Sequence, residues 1–335
     1  MIIDSHAHLV PPDLLPAIAR GRAPVPSLRV IEDRGNLAFA FAGGKPTRPV
    51  SKPLGDVAAR IAWMDRQGIG FQVVGGWVDM FGYELPAAEG EAWSQLINDA
   101  MLGMARAEPR LVPLASVPLQ DGTRAAAVLK RAIGAGFPGV MIGTLPRGIG
   151  SVLDAKDLDP FWAAADETGA VVHIHPSFDA GDVRANDYGL QNAVGRISDA
   201  VVAAARLLYS GHVTRFGNVK FIVPMGAAGL PFVLGRLKRN HEITPGLGDP
   251  VEALGRLYTD TILHDPRVLR FVVSVLGADH IMLGSDMPFP IGDMEPAKIV
   301  ADAALPADQA ACIRGEVAAR VFGLENRARQ EDRRR

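Results

Sequence analysis

Met1-Ile-Ile-Asp-Ser-His-Ala-His-Leu-Val10 carries a β-branched lead, Ile2 and Ile3, straight into His6-Ala7-His8. In a strand, the period of two sends both imidazoles to one face, roughly 6–7 Å apart along a rigid element. Two neutral ring nitrogens so placed are half of a metal site. The plainer alternative is a strand whose histidines lie on a polar face. Further ligands, if the first reading holds, must come from other strand ends.

Beyond this stretch the chain alternates. Short apolar runs suited to strands lie at 71–76, 111–116, 139–143, 170–175, 220–224, 257–261 and 280–284. Helical stripes separate most of them. Val57, Ile61, Trp63 and Met64 make one, and Trp93, Leu96, Ile97, Met101 and Met104 the next. Residues 125–133, 159–169, 196–210 and 265–277 continue the series, with Asp159-Pro160 and Asp265-Pro266 reading as an N-cap acid before a proline at the first helical position. With the first strand this gives eight strands alternating with helices, the pattern of an α/β (β/α)8 TIM barrel; a doubly wound open sheet is the competitor. Residues about 12–55, rich in Gly, Pro and Arg without a sustained period, read as a small insertion after strand 1. A single domain is expected over 1–325, followed by a charged, solvated and frayed tail at 326–335. Gly134-Ala-Gly136-Phe-Pro-Gly139 spells a dinucleotide fingerprint but precedes a strand instead of following one, so it carries no cofactor expectation.

Composition narrows the partners. With 35 basic and 37 acidic side chains the chain has no nucleic-acid footprint, and a small-molecule substrate is expected. No apolar run reaches membrane-spanning length. The single cysteine, Cys312, excludes an intramolecular disulfide framework, fits a reducing compartment and is expected to pack within a helix over 308–322. The histidine pattern begins at Met1, which leaves no room for a signal peptide before it; a cytoplasmic protein is the expectation.

Functional groups of such a barrel sit at the C-terminal ends of its strands. Those ends supply His6 and His8, then His175 before Pro176, then Asp286 in Gly284-Ser-Asp-Met-Pro-Phe-Pro290. Three imidazoles and a carboxylate suit Zn2+, with Mn2+ or Fe2+ as alternatives, and leave a position for water. Singly, His175 could be a hydrogen-bonded barrel histidine and Asp286 a turn carboxylate; together they define a metal site.

Several motifs resemble the amidohydrolase superfamily, specifically the amidohydrolase-2 branch that includes 2-amino-3-carboxymuconate-6-semialdehyde decarboxylase and related nonoxidative decarboxylases. They are Asp4-Ser-His-Ala-His8, Arg60-Ile-Ala-Trp-Met-Asp65, Gly136-Phe-Pro-Gly-Val-Met-Ile-Gly143, His175-Pro176, Pro231-Phe-Val-Leu-Gly-Arg236, Tyr258-Thr-Asp-Thr-Ile-Leu-His-Asp265 and Leu283-Gly-Ser-Asp-Met-Pro-Phe-Pro290. The resemblance implies one catalytic metal on His6, His8, His175 and Asp286. It also implies a substrate-carboxylate arginine at Arg48 and a second at Arg236, contributed across a homodimer interface. A guanidinium suits both places, because its fork binds carboxylate bidentately and keeps its charge. Trp77, after the second strand of the alternation, is a candidate pocket wall.

One residue departs from the resemblance. Where the family's sixth strand ends in an acid–base histidine followed by glycines, this chain reads Phe221-Ile-Val-Pro-Met-Gly-Ala-Ala-Gly229, with Met225 at the position. A thioether cannot shuttle a proton. Asp286 then stands as the acid–base group, unless another group is recruited. His173, two residues before His175, is a possible additional ligand or acid–base; its plainer reading is a histidine hydrogen-bonded one layer below the site. His264 is a further candidate. The expected function is a metal-dependent nonoxidative decarboxylase of a small carboxylated aromatic or ring-cleavage product. The alternatives are a metal-dependent hydrolase or hydratase, and a catalytically silent metal-binding subunit partnering a homologue.

Overall fold

The computed structural model describes residues 1–19, 25–33, 35–178 and 180–332. Among them the strands run β1 (Ile2–Leu9), β2 (Leu28–Asp33), β3 (Asn36–Phe41), β4 (Ile69–Gly76), β5 (Leu111–Pro113), β6 (Gly139–Gly143), β7 (Val171–His175), β8 (Lys220–Ile222), β9 (Thr259–Asp260) and β10 (Ile281–Met282). All but β2 and β3 pair in parallel, with helices between them, so the fold is α/β. The ladders are β1–β4–β5, β6–β7–β8 and β9–β10. Single parallel bridges link Ala115 to Val140, Ile222 to Tyr258 and Ala7 to Met287. The apolar runs read as strands because they are buried on both faces: every residue of β6 and β7 is inaccessible to solvent or nearly so.

Local chemistry sets the helix ends. Asp56 accepts from the Ala59 N–H at 3.0 Å to start Val57–Gln67, and Gly68, at φ +67°, ends it. Asp265 caps Pro266–Leu276 in the same way. Asp159, by contrast, is the first residue of Asp159–Thr168 and caps nothing; its carboxylate pairs with Arg215 at 2.6 Å instead. The helix expected over 308–322 is broken into Ala307–Ala311 and Val317–Val321 by a π-turn at Cys312–Glu316, with the Cys312 Sγ facing Glu316.

The stretch after β1 holds more regular structure than its composition signals. β2 and β3 form an antiparallel hairpin in which Val30 faces Phe39 and Leu28 faces Phe41. Phe39 and Phe41 lie 5.6 and 5.8 Å from Trp93 of helix Ala87–Ala107. Ser27 adds two hydrogen bonds to Glu89. The chain then runs back along the hairpin, the N–H groups of Thr47 and Val50 donating to the carbonyls of Phe39 and Leu37, and so delivers Arg48. The C-terminal charged run is helical over Glu325–Asp332 and mostly exposed, with Arg327 seated over the Phe71 ring at 4.6 Å; residues 333–335 lie outside the described residues. Among the described residues no helix is long and apolar enough to cross a membrane.

Candidate metal centre

β1 carries a run of buried polar groups that no ordinary core strand would hold, and Asp4, His6 and His8 each have a partner in another element, while the Ser5 hydroxyl is buried without one. Asp4 accepts from the Ser285 N–H and hydroxyl at 3.0 and 2.6 Å and from Gln72 Nε2 at 2.8 Å. Gln72 in turn accepts from the buried Arg60 guanidinium at 2.7 Å, and Arg60 also donates to the His8 carbonyl. Burial lowers the Arg60 pKa to about 10, against the raising charge of Asp4. This network fastens β1 to the loop after β10. Within that loop the Asp286 N–H donates to the His6 carbonyl at 2.9 Å, and Asp286 itself sits at φ +57°. Gly284 permits the approach: a Cβ there would stand 2.9 Å from the Cβ of Asp260.

The result brings His6, His8, His175 and Asp286 together, with one ligand atom of each within 4.8 Å of the others, all buried. Every imidazole is oriented through Nδ1: His6 toward Asp260 Oδ2 at 2.7 Å, His8 toward the Gly76 carbonyl at 3.3 Å, His175 toward the Pro176 carbonyl at 2.8 Å. With Nδ1 donating, each remaining nitrogen presents a lone pair. The Nε2 atoms of His6 and His8 are 3.2 Å apart, and Asp286 Oδ1 lies 3.1 Å from His8 Nε2 with no well-directed donor. Lone pairs converging on a carboxylate repel one another unless a cation lies among them. The donor set therefore fits a divalent ion, and the Nδ1 partners are the outer contacts that orient imidazole ligands.

Electrostatics agree. Burial pushes His8 and His175 below the ordinary imidazole value, which keeps them neutral and available as donors. For His6, burial acts downward but the hydrogen bond and charge of Asp260 outweigh it and raise the pKa. For Asp286, burial acts upward, while His8 and the neighbouring positive charges hold the carboxyl below its usual range.

The other expected residues are distributed around this cup. A cavity of about 230 Å³ opens on it, lined by His6, His175, Arg196, Met225, His264 and Asp286 among others. Met225 lies in a left-handed turn, φ +56°, with its N–H donating to Asp260 Oδ1 at 2.8 Å. His264 is exposed at the rim, also in left-handed backbone, φ +57°. His173 lies beneath, edge-on to His6 at 4.5 Å; both its ring nitrogens are buried without a hydrogen-bond partner, in place of the expected hydrogen-bonded histidine. Together with His6 and Asp260 it forms a second cluster of potential ligands. Arg48 is bound bidentately by Asp79 at 3.0 and 2.8 Å, over the rings of Phe178 and Trp77, and is not among the residues lining the cavity; Trp77 is buried beneath it. Arg236 is exposed on helix Leu230–Ile243, away from the cup of this chain.

Sequence reasoning missed Asp260 and Arg196. Asp260 sits inside the Tyr258–Asp265 motif, and its strand-end position was the available signal. Arg196, at the start of Arg196–Tyr209, has the sequence surroundings of an ordinary helix-surface arginine and gave none.

Comparisons with known proteins fit this geometry. The family described as Amidohydrolase (Amidohydro_2) matches residues 3–324. The chain is 29% identical over 265 residues to 2-amino-3-carboxymuconate-6-semialdehyde decarboxylase of Dictyostelium discoideum, covering 77% of this chain and 73% of that one. The structure of 5-carboxyvanillate decarboxylase from Sphingomonas paucimobilis superposes with a TM-score of 0.78 at 24% identity, covering 96% of this chain and 98% of that one. The Novosphingobium aromaticivorans 5-carboxyvanillate decarboxylase complexed with manganese and 4-hydroxy-3-methoxy-5-nitrobenzoic acid gives 0.79 at 19% identity, over 97% of this chain and 96% of that one. With a family match across nearly its whole length, the chain belongs to the amidohydrolase family Amidohydro_2.

Proposed function

We propose that this chain is a metal-dependent nonoxidative decarboxylase of a small carboxylated aromatic or ring-cleavage product, built on a closed (β/α)8 barrel. Closure is supported by the bridges between successive ladders and by the Ser5 N–H donating to the Leu283 carbonyl at 2.8 Å, which joins the last strand to the first. The observation that carries the function is the convergence of three lone-pair nitrogens and the Asp286 carboxylate in one buried cup, of which His6, His175 and Asp286 line a small cavity. His6, His8, His175 and Asp286 would hold the ion. When bound, a divalent ion supplies charge stabilisation for a substrate oxygen. Zinc suits the imidazole-rich set, and manganese is what the Novosphingobium relative holds.

In the reaction the bond between the ring carbon and the carboxylate breaks heterolytically, carbon dioxide leaves, and the electron pair stays on carbon, which then takes a proton. Met225 cannot deliver it. Asp286 is the acid–base group on the cavity wall, its Oδ1 lacking a well-directed donor and its backbone fixed by His6; as a carboxylate it would take a proton from water and pass it to that carbon. The test is carbon dioxide release from 5-carboxyvanillate, 2,6-dihydroxybenzoate and 2-amino-3-carboxymuconate-6-semialdehyde by zinc- and manganese-loaded protein. Release that a chelator abolishes and Asp286→Asn eliminates is expected; a fully loaded protein that releases none from any of them overturns the reading.

Met225 motivates a second reading, a metal-binding subunit that pairs with an active homologue. A homodimer is the simpler assembly: Arg236 shares its helix with Phe232, 84% exposed, beside exposed Val268 and Phe271. Light scattering of the purified chain distinguishes a homodimer from a monomer awaiting another subunit.

A further inference from the structure

Two guanidiniums share the Phe178 ring, and their surroundings differ. Arg48 stands 4.0 Å above the Phe178 ring and Arg196 4.9 Å from the same ring. Asp79 neutralises Arg48 with two parallel hydrogen bonds, which occupy one edge of its fork. Arg196 is only 7% exposed, its Nε is buried without an acceptor, and among the described residues no carboxylate lies within ion-pair distance of it. Asp286 and Asp79 are the opposite charges that act on it, and Asp286 belongs to the metal cup. Arg196 lines the cavity; Arg48 does not.

A buried guanidinium without a partner is costly, and the cost is relieved by an anion brought in from outside. With a divalent ion over the single carboxylate of the cup, the cavity is already cationic, and Arg196 adds a further unit of positive charge. Binding the departing carboxylate this strongly would stabilise the ground state, because its charge is lost as carbon dioxide forms. A guanidinium is useful on an anionic group that survives the reaction.

We propose that Arg196 is a specificity residue gripping a second, retained carboxylate, so that the substrate class is a dicarboxylate; Arg48, tied to Asp79, is a positioning residue for the Phe178 ring that Arg196 packs against. This rests on the decarboxylase reading for the identity of the departing group, and its test is separable from that reading. The probes are 4-hydroxyisophthalate, its 1-methyl ester and salicylate, which share the hydroxyl-flanked carboxylate and differ in the second one. Calorimetric titration of the metal-loaded protein should show 4-hydroxyisophthalate binding roughly 10- to 100-fold tighter than the other two. Arg196→Met should bring that ratio close to one, and Arg196→Lys should retain part of it, since the charge stays while the fork is lost. Metal content and thermal midpoint, measured on each variant, identify a folded protein. No preference for the dicarboxylate in the unaltered protein, or a preference that survives Arg196→Met and disappears in Arg48→Met, overturns the proposal. The decarboxylase reading fails differently, through absence of carbon dioxide release while the binding ratio stands.

Discussion

Asp260 holds His6 through Oδ2, 2.7 Å from the ring Nδ1, and with its other oxygen accepts from the Met225 N–H at 2.8 Å. One buried carboxylate thus fixes both the orientation of an imidazole of the candidate cup and the turn that carries Met225. Asp260→Asn keeps the size but weakens the acceptor facing His6. Metal affinity should fall roughly 10- to 100-fold, read by competition with a chromophoric chelator. An unchanged affinity in a folded variant would remove Asp260 from the site.

Met225 occupies left-handed backbone, φ +56°, within a run in which Ala227 and Ala228 are also left-handed. The conformation is held by Asp260 and by the Ala227 N–H donating to Thr259 Oγ1 at 2.6 Å, so it depends on backbone contacts and not on the thioether. Histidine tolerates this region better than most residues. Met225→His should therefore keep the turn and place an imidazole on the cavity wall, raising decarboxylation by a factor on the order of 10² or more. If activity appears in the variant alone, the unaltered chain is the silent subunit; if it is unchanged, Asp286 already meets the proton demand.

The eight-strand alternation and the clustering of His6, His8, His175 and Asp286 were legible because each rests on local pattern. Parallel strands covered on both faces read as unbroken apolar runs, and histidines at their ends stand out against them. The hairpin at β2 and β3 was hidden because exposed positions of it carry Arg29 and Glu32, while its apolar positions, Phe39 and Phe41, are buried against Trp93, more than fifty residues away in sequence. Arg196 was hidden for a related reason: whether a helix-start arginine is solvated or buried depends on what Phe178 and the cavity do to it, and neither is adjacent in sequence. Asp159 misled in the opposite direction, since an Asp-Pro pair fits a cap while the carboxylate had a better partner in Arg215.

Phe39 offers a test of how the hairpin serves the site. Its ring is fully buried, 6.0 Å from Phe41 and 5.6 Å from Trp93, and its carbonyl anchors the Thr47 N–H one residue before Arg48. Phe39→Ala should lower unfolding free energy by about 3 kcal/mol or more in chemical denaturation. It should also weaken binding of aromatic ligands without reducing metal content, because the metal cup shares no residue with the hairpin. A parallel loss of metal would show that the two are coupled.

The buried histidines set the acid response of the metal-free protein. His8, His173 and His175 are pushed below the ordinary 6.5, in each case mainly by burial, whereas His6 is raised by Asp260 against burial. A depressed folded-state value means that unfolding takes up protons once the pH is under 6.5. Their contribution to stability is complete above 6.5 and is lost progressively as the pH falls toward the folded-state values. His6 has the opposite sign: its contribution is complete below 6.5 and is lost as the pH rises through its raised value. Three depressed groups outweigh one raised group, so the thermal midpoint of metal-free protein should fall steadily between about pH 6.5 and 5. His173 is the member of this set with no hydrogen bond at either nitrogen, so His173→Leu removes two unsatisfied buried atoms together with a proton-linked cost. The variant should be more stable by about 1–2 kcal/mol and show a flatter acid limb, with metal stoichiometry unchanged. A loss of bound metal in His173→Leu would instead assign His173, with His6 and Asp260, to a ligand set of its own.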